Sequence, residues 1–579
     1  MGRVTGLAGA FAGLVVALFG ATTPPRPVVA AANAQDQYPK PPADKQLKLV
    51  GASICKNCHD QDDPTSKDEY KETRGYEFVR LWENRVWNVH DMHRTAFMNL
   101  LTNRTAGKEG EKPNETAQKM EDTLRRSGTD PKYRDENYTV ATDTQCLACH
   151  ASTFDPITPG SHKDWKPASF FTKDGVGCEM CHGHGSLYQD KHKESRIVNE
   201  GAPPGAVRIV DWREWSPTAK KEWGLVNLRD PVVATSRCGS CHIGNINEGR
   251  FVTHEMFAAG HPPLPPFDLM GFTREQPRHW GLPTKMPYLN WLAKNDAKKA
   301  QAIFHFRGDE RYAARRFVEA TIGSLHALAV STNQLAEVSK DDGLDFAAFD
   351  CYACHHNLKY PSDRQDRGYI GKPGRPIFRP SAFVLTKLVL EHASTMENGA
   401  PLKESLDALL KAEQQLVDAF AKKTLGDPVA IAQATKTLTE WTADAMKKLA
   451  AVQYTEKETQ RLLAMVIAAT QKPIGDPEVG QLYVWAFDTL VLELNDPTGD
   501  KKDLPPAVDE LRKVLQGTVV TRLRPNTQYN YEPDIKGKAP DNALESVDAR
   551  LPVRMETLNS FRRKTFQDAF QSVKPMLPK

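Results

Sequence analysis

Apolar residues recur at helical spacing through the later part of this chain. Over residues 309–338, Phe317, Ile322, Leu325, Leu328 and Leu335 fall near one face, which predicts a long helix. Beyond residue 380 the same period dominates. Leu406, Leu409, Leu410, Leu416, Val417 and Phe420 form one stripe, and Ile431, Leu438, Trp441, Ala445 and Leu449 form another. Leu462, Leu463, Val466 and Ile467 continue the pattern, followed by Leu482, Trp485, Leu490 and Leu494. Roughly five to seven helices packed as a bundle are predicted, with the stripes as its core rather than a docking face. No strand-rich region is visible. The segment 243–300 is broken by Gly and Pro, and Ala259-Gly260-His261-Pro262-Pro263-Leu264-Pro265-Pro266 can be neither helix nor central strand. It predicts an ordered loop. The expected fold class is mainly α with extensive loop.

The cysteines change the picture. All ten lie in five Cys-x-x-Cys-His motifs: Cys55/Cys58/His59, Cys146/Cys149/His150, Cys178/Cys181/His182, Cys238/Cys241/His242 and Cys351/Cys354/His355. This is the attachment pattern of c-type haem. Two thiols one helical turn apart add to the two vinyl groups of one haem, and the next histidine is placed to bind its iron. Zinc ribbons use two Cys-x-x-Cys pairs per metal, so five pairs leave one unmatched, and zinc gives no reason for a histidine after each pair. A disulfide framework belongs to small secreted domains, and ten cysteines are too dilute in 579 residues. Five covalently bound haem c groups are therefore expected.

The amino terminus agrees with that chemistry. Arg3 precedes an apolar run from Leu7 to Phe19, and Ala32-Asn33-Ala34 offers a cleavage site before Gln35. Residues 1–34 read as a signal peptide, so the protein is expected to be periplasmic or otherwise exported. The formal charge of +3 is too near neutral to imply nucleic acid. Residues 35–375 read as a pentahaem cytochrome c domain and 376–579 as a helical bundle without haem. A Gly/Pro/Arg-rich stretch at 361–380 marks the boundary.

The stretch Val176-Gly177-Cys178-Glu179-Met180-Cys181-His182-Gly183-His184-Gly185, followed by Asp190-Lys191-His192-Lys193-Glu194-Ser195, resembles the tetrahaem cytochrome c-554 family. Gly51 to His59, Trp87 with His93-Arg94-Thr95-Ala96-Phe97, and Arg237 to His242 resemble other parts of the same pattern. The resemblance covers roughly residues 50–330 and leaves the fifth motif outside. It implies that His192 is the distal ligand of the first haem, that His93 serves the third across a stacked pair, and that His326 fits the role for the fourth. It also implies a second haem, at His150, with no distal protein ligand.

The inserted loop at 243–300 departs from that pattern and carries His254, His261 and His279, any of which is a candidate to close the second haem or serve the fifth. His261, in a stiff Gly-His-Pro turn, is the foremost of them. His254 and His356 are weaker candidates, and His90 rivals His93. His162, His279, His305 and His392 read as structural. The reading adopted is one open or weakly ligated haem in a protein that works chiefly as an electron carrier between redox partner proteins. The alternative is a multihaem oxidoreductase acting on a small nitrogen or sulfur species at an open haem. Docking to a membrane or periplasmic complex through the bundle is a further expectation.

Overall fold

The computed structural model describes residues 38–60, 81–107, 112–193, 212, 215–340, 343–356, 358–360, 362, 371–472, 477–496 and 563–573. The signal segment at 1–34 and residues 361 and 363–370 of the boundary stretch lie outside these residues. Helix dominates, as the periodicity predicts. The described strands are β1 (Ser152–Thr153) and β2 (Phe170–Phe171), which pair antiparallel with Ser152 opposite Phe171. No helix among the described residues is long and apolar enough to cross a membrane.

Four of the five cysteine motifs sit on helices, three of them started by a local device. The first motif forms α1 (Ala52–His59), preceded by Gly51 at φ 83°. That left-handed turn is a glycine conformation, and it aims the Ala52 N–H at Asp174 Oδ2, 2.7 Å away. A second helix, α2 (Glu83–His90), packs on α1. The next, α3 (Glu115–Ser127), is capped by Asn114. The second motif is α4 (Thr144–His150), capped by Asp143, and the third is α5 (Cys178–His182). The fourth ends α6 (Pro231–His242), where Pro231 fills the first turn and Asp230 accepts from Val232 and Val233. In the insertion, α7 (His254–Ala259) is capped by Thr253 and stopped by Gly260 at φ 117°. A further helix, α8 (Leu269–Glu275), follows the proline run. The fifth motif is a 3₁₀ turn at Cys351–Ala353 whose first residue follows the cap Asp350.

The predicted long helix is α9 (Tyr312–Val338), 27 residues. It packs on α6 and α8 on the haem-motif side and on the bundle at the other. The bundle comprises α10 (Ser381–Ser394), α11 (Ala400–Lys422), α12 (Pro428–Leu449), α13 (Glu456–Thr470), α14 (Pro477–Asn495) and α15 (Arg563–Val573). The predicted stripes face its core, with one exception. Leu410 is 46% exposed, and Leu402, Leu409, Leu416 and Phe420 carry that face of α11 instead. A single apolar core runs from Met270 through α9 to Phe570, so the motif-bearing part and the bundle share it. Arg315, buried on α9, donates to the carbonyls of Leu449 (2.9 Å) and Val452 (2.7 Å) and satisfies the end of α12.

Candidate multihaem centre

An imidazole nitrogen binds a metal at about 2 Å and its ring centre lies about 1 Å further out, so two imidazoles on opposite sides of one ion have ring centres roughly 6 Å apart. Four motif histidines each meet one other histidine at that separation. His59 faces His192 at 6.2 Å with planes at 11°, and His355 faces His254 at 6.3 Å with planes at 28°. His242 faces His93 at 6.2 Å and 81°, and His182 faces His279 at 6.3 Å and 72°. The fifth motif histidine, His150, neighbours His261: burial and then the His150 charge push the His261 imidazole down to about 4.

The second ring nitrogen tells the same story. A histidine that binds iron through Nε2 needs a partner for Nδ1. His59 Nδ1 meets Glu83 Oε2 at 2.8 Å, and His93 Nδ1 meets Asp91 Oδ1 at 2.9 Å. His150, His192 and His261 direct Nδ1 at the carbonyls of Ala96 (2.8 Å), Tyr188 (2.9 Å) and Pro262 (2.9 Å). His279 does so at Pro277, 3.3 Å. Fixing Nδ1 in this way sets the orientation of each ring and turns Nε2 to its far side. His184 shows the contrast, since its Nε2 is the atom bonded, to Thr153 O at 3.0 Å. Burial favours the neutral form of His150, His182, His192, His242 and His261, the form a ligand takes. Burial and then His93 lower His242 to about 3, and burial and then His279 lower His182 to about 4. His59 differs: burial lowers it, yet the Glu83 hydrogen bond and charge outweigh that and leave it raised.

Three expectations change. His93 faces the fourth motif, not the third. Its carbonyl accepts the Val176 N–H at 2.9 Å and Trp87 Nε1 donates to Val176 O at 3.2 Å, so this segment holds the entry to the third motif while its ring reaches past it to His242. His326 does not meet a motif ring; its Nδ1 is 2.7 Å from Thr442 Oγ1 at the α9–α12 contact. His279, read as structural, is the ring opposite His182. The proline-stiffened turn after α7 sets His261 within reach of the His150 charge, at the second motif. The same short segment sends His254 to the fifth motif. His392 lies in the bundle core, stacked on Tyr454 at 5.9 Å.

Most of the ten motif cysteines adjoin cysteines of other motifs. Cys55 adjoins Cys178, and Cys149 adjoins Cys241. Cys181 lies near both Cys241 and Cys238. Cys58 takes no part in these thiol contacts. It lies half-buried in the last turn of α1, beside His59. Its neighbour is instead the Lys193 ammonium, which the Asp190 hydrogen bond raises first and the Cys58 charge raises further. Lys193 adjoins His192 in sequence, so Cys58 and His59 both face the segment that carries the opposite ring. The motifs thus adjoin in the order one, three, four, two, and the α7 segment joins the second to the fifth.

Buried side chains fix these contacts. Glu179, inside the third motif, accepts from the N–H groups of Val50 (3.0 Å), Gly51 (2.8 Å) and Gly185 (2.6 Å) and so holds the first motif against it. The thiols of Cys351 and Cys354 are exposed, whereas the other eight are half-buried.

These features match known proteins in part. Residues 54–183 match the family described as cytochrome c554 and c-prime. A stretch of 46 residues is 44% identical to the C-type polyheme cytochrome OmcC of Geobacter sulfurreducens; it spans 8% of this chain and 6% of that protein. No solved structure matches the chain.

Proposed function

We propose that this chain, a multihaem c-type cytochrome, is an exported electron carrier that holds five haems, each between two histidines. The four imidazole pairs about 6 Å apart carry the reading, and His261 near His150 completes it. The proposed pairs are His59 with His192, His150 with His261, His182 with His279, His242 with His93 and His355 with His254. Haem supplies a one-electron centre; the protein holds it, excludes water and tunes its potential through axial ligands and the bonds behind them. Two histidines per iron leave no face for a substrate, which favours a carrier over an oxidoreductase working at an open haem. The adjoining motifs support transfer along a row without movement of the chain. The exposed fifth motif, at one end of that row, is the proposed point of exchange with a redox partner.

The stoichiometry is directly testable. A pyridine haemochrome assay combined with the mass of the exported protein should give five covalent haems per chain. Four or fewer on fully matured protein contradicts the reading.

A further inference from the structure

Buried charge is distributed unevenly along the row of motifs. At the first, Glu83 Oε2 lies 2.8 Å from His59 Nδ1. A carboxylate behind a metal-binding imidazole makes it a stronger donor, which favours oxidised iron and lowers the potential. Two further acids are buried there, Asp174 against the start of α1 and Glu179 between the first and third motifs. The neighbouring cations Lys56 and Arg85 are drawn off to Asp60, at 3.4 and 3.7 Å.

The other end of the row is built differently. Behind His150 and His261 stand neutral carbonyls, not carboxylates. Arg250, 2% exposed, sits between the second and fourth motifs. Its Nε donates to Ala148 O at 3.0 Å, between Cys146 and Cys149. Its Nη1 donates to Ser240 Oγ at 2.5 Å, between Cys238 and Cys241. One guanidinium therefore clasps the centres of two motifs. Glu248 answers it from 2.9 Å but is 24% exposed, so solvent and salt weaken its reach more than that of the buried cation. Asp143, beside Cys146, is offset by Lys132 at 3.0 Å. At the fifth motif Arg379 Nη2 lies 3.5 Å from Cys351 Sγ, with Glu478 3.8 Å from the same guanidinium. The fourth motif is intermediate, since Arg250 is near it but Asp91 stands behind His93.

We propose that Glu83 and Arg250 set opposite ends of a potential drop along the row, with the first haem the lowest in potential and the second above both the first and the fourth, so that electrons run from the first motif through the third, fourth and second and leave by the fifth. Both residues act through other groups, as positioning and tuning side chains. The proposal rests on the paired-histidine reading and goes beyond it by giving the row a direction.

The test is a stepwise redox titration of the full holoprotein, followed by absorbance and by electron paramagnetic resonance. Glu83→Gln keeps the shape and removes the charge, so the lowest of the midpoints should move up while the highest stays in place. The couple that moves should carry a rhombic low-spin signal, as the nearly parallel planes of His59 and His192 require. Arg250→Gln should move an upper midpoint down. Because that variant breaks a buried clasp and can fail to accumulate, Glu248→Gln is the companion: freeing Arg250 of its counter-charge should move the same midpoint up. An unmoved lowest midpoint in Glu83→Gln, or a downward shift in Glu248→Gln, overturns the proposal. High-spin iron in the unsubstituted protein would instead count against the paired-histidine reading beneath it.

Discussion

Replacing His261 with alanine should convert one low-spin iron of the oxidised protein to high spin and make the reduced protein respond to carbon monoxide. The argument is geometric. His261 follows Gly260, whose φ of 117° ends α7, and precedes two prolines that fix the backbone. Its Nδ1 is held by the Pro262 carbonyl at 2.9 Å, which turns Nε2 away from that bond. The residue is half-buried, and the His150 charge acts on its ring. His254, on the same segment, is committed to His355, with ring centres 6.3 Å apart. The vacancy should therefore persist and accept a small ligand without displacing a histidine. A carbon monoxide difference spectrum of His261→Ala measures this. A spectrum unchanged from the unsubstituted protein would remove His261 from the second haem.

The second large effect is on stability. Trp485→Ala should cost about 3–5 kcal/mol, the range for deleting a fully buried large aromatic ring. Trp485 is 1% exposed on α14 and reaches across to α8. Gly271 of α8 lies so close that a Cβ there would stand 2.5 Å from the Trp485 ring, so the two fit only as a pair. Phe272 packs edge-on against Trp485 at 5.8 Å and against His242 at 4.8 Å. Arg274 donates to the Trp485 carbonyl at 2.9 Å. The indole thus ties the bundle to the ring behind the fourth motif. Thermal unfolding followed by circular dichroism should show a midpoint lowered by several degrees, and Gly271→Val should reproduce the loss from the other side. A variant that unfolds at the original temperature would show that the bundle and the motif-bearing part are not coupled through this contact.

The sequence carries some of this directly and withholds the rest for identifiable reasons. Period and spacing are local properties, so α9, the bundle stripes and the five motif histidines are legible from residue order alone. Leu410 continues an apolar stripe in the sequence, but it sits at the outer margin of that face, 46% exposed. The partner of each motif histidine is a different matter. His59 meets His192 from 133 residues away only because Glu179 holds the first motif to the third. His93 and His279 follow no spacing rule relative to His242 and His182; tertiary contacts alone bring them together. The neighbours of the attachment thiols are equally non-local: nothing in the order of residues sets Cys55 against Cys178 while Cys58 faces Lys193. The family resemblance assigns His192 to the first motif, where its ring lies, but it misdirects His93 and His326. Its pattern does not include the inserted loop, which is the segment that delivers His254, His261 and His279. Glu83, Asp91 and Arg250 carry no motif at all, and their importance appears only when the atoms behind each imidazole and between the cysteine pairs are known.

The most direct test of the account is the electron paramagnetic resonance spectrum of the oxidised full-length protein, with spins counted against a haemochrome assay. Five low-spin irons and no high-spin signal are expected, because four motif histidines have a second imidazole opposite them and His261 is the proposed partner of the fifth, His150. The near-parallel pairs at His59 and His355 should give rhombic signals, and the near-perpendicular pairs at His182 and His242 strongly axial ones. A high-spin signal amounting to one iron per chain would contradict the account, by showing that one of these pairings does not close around its haem.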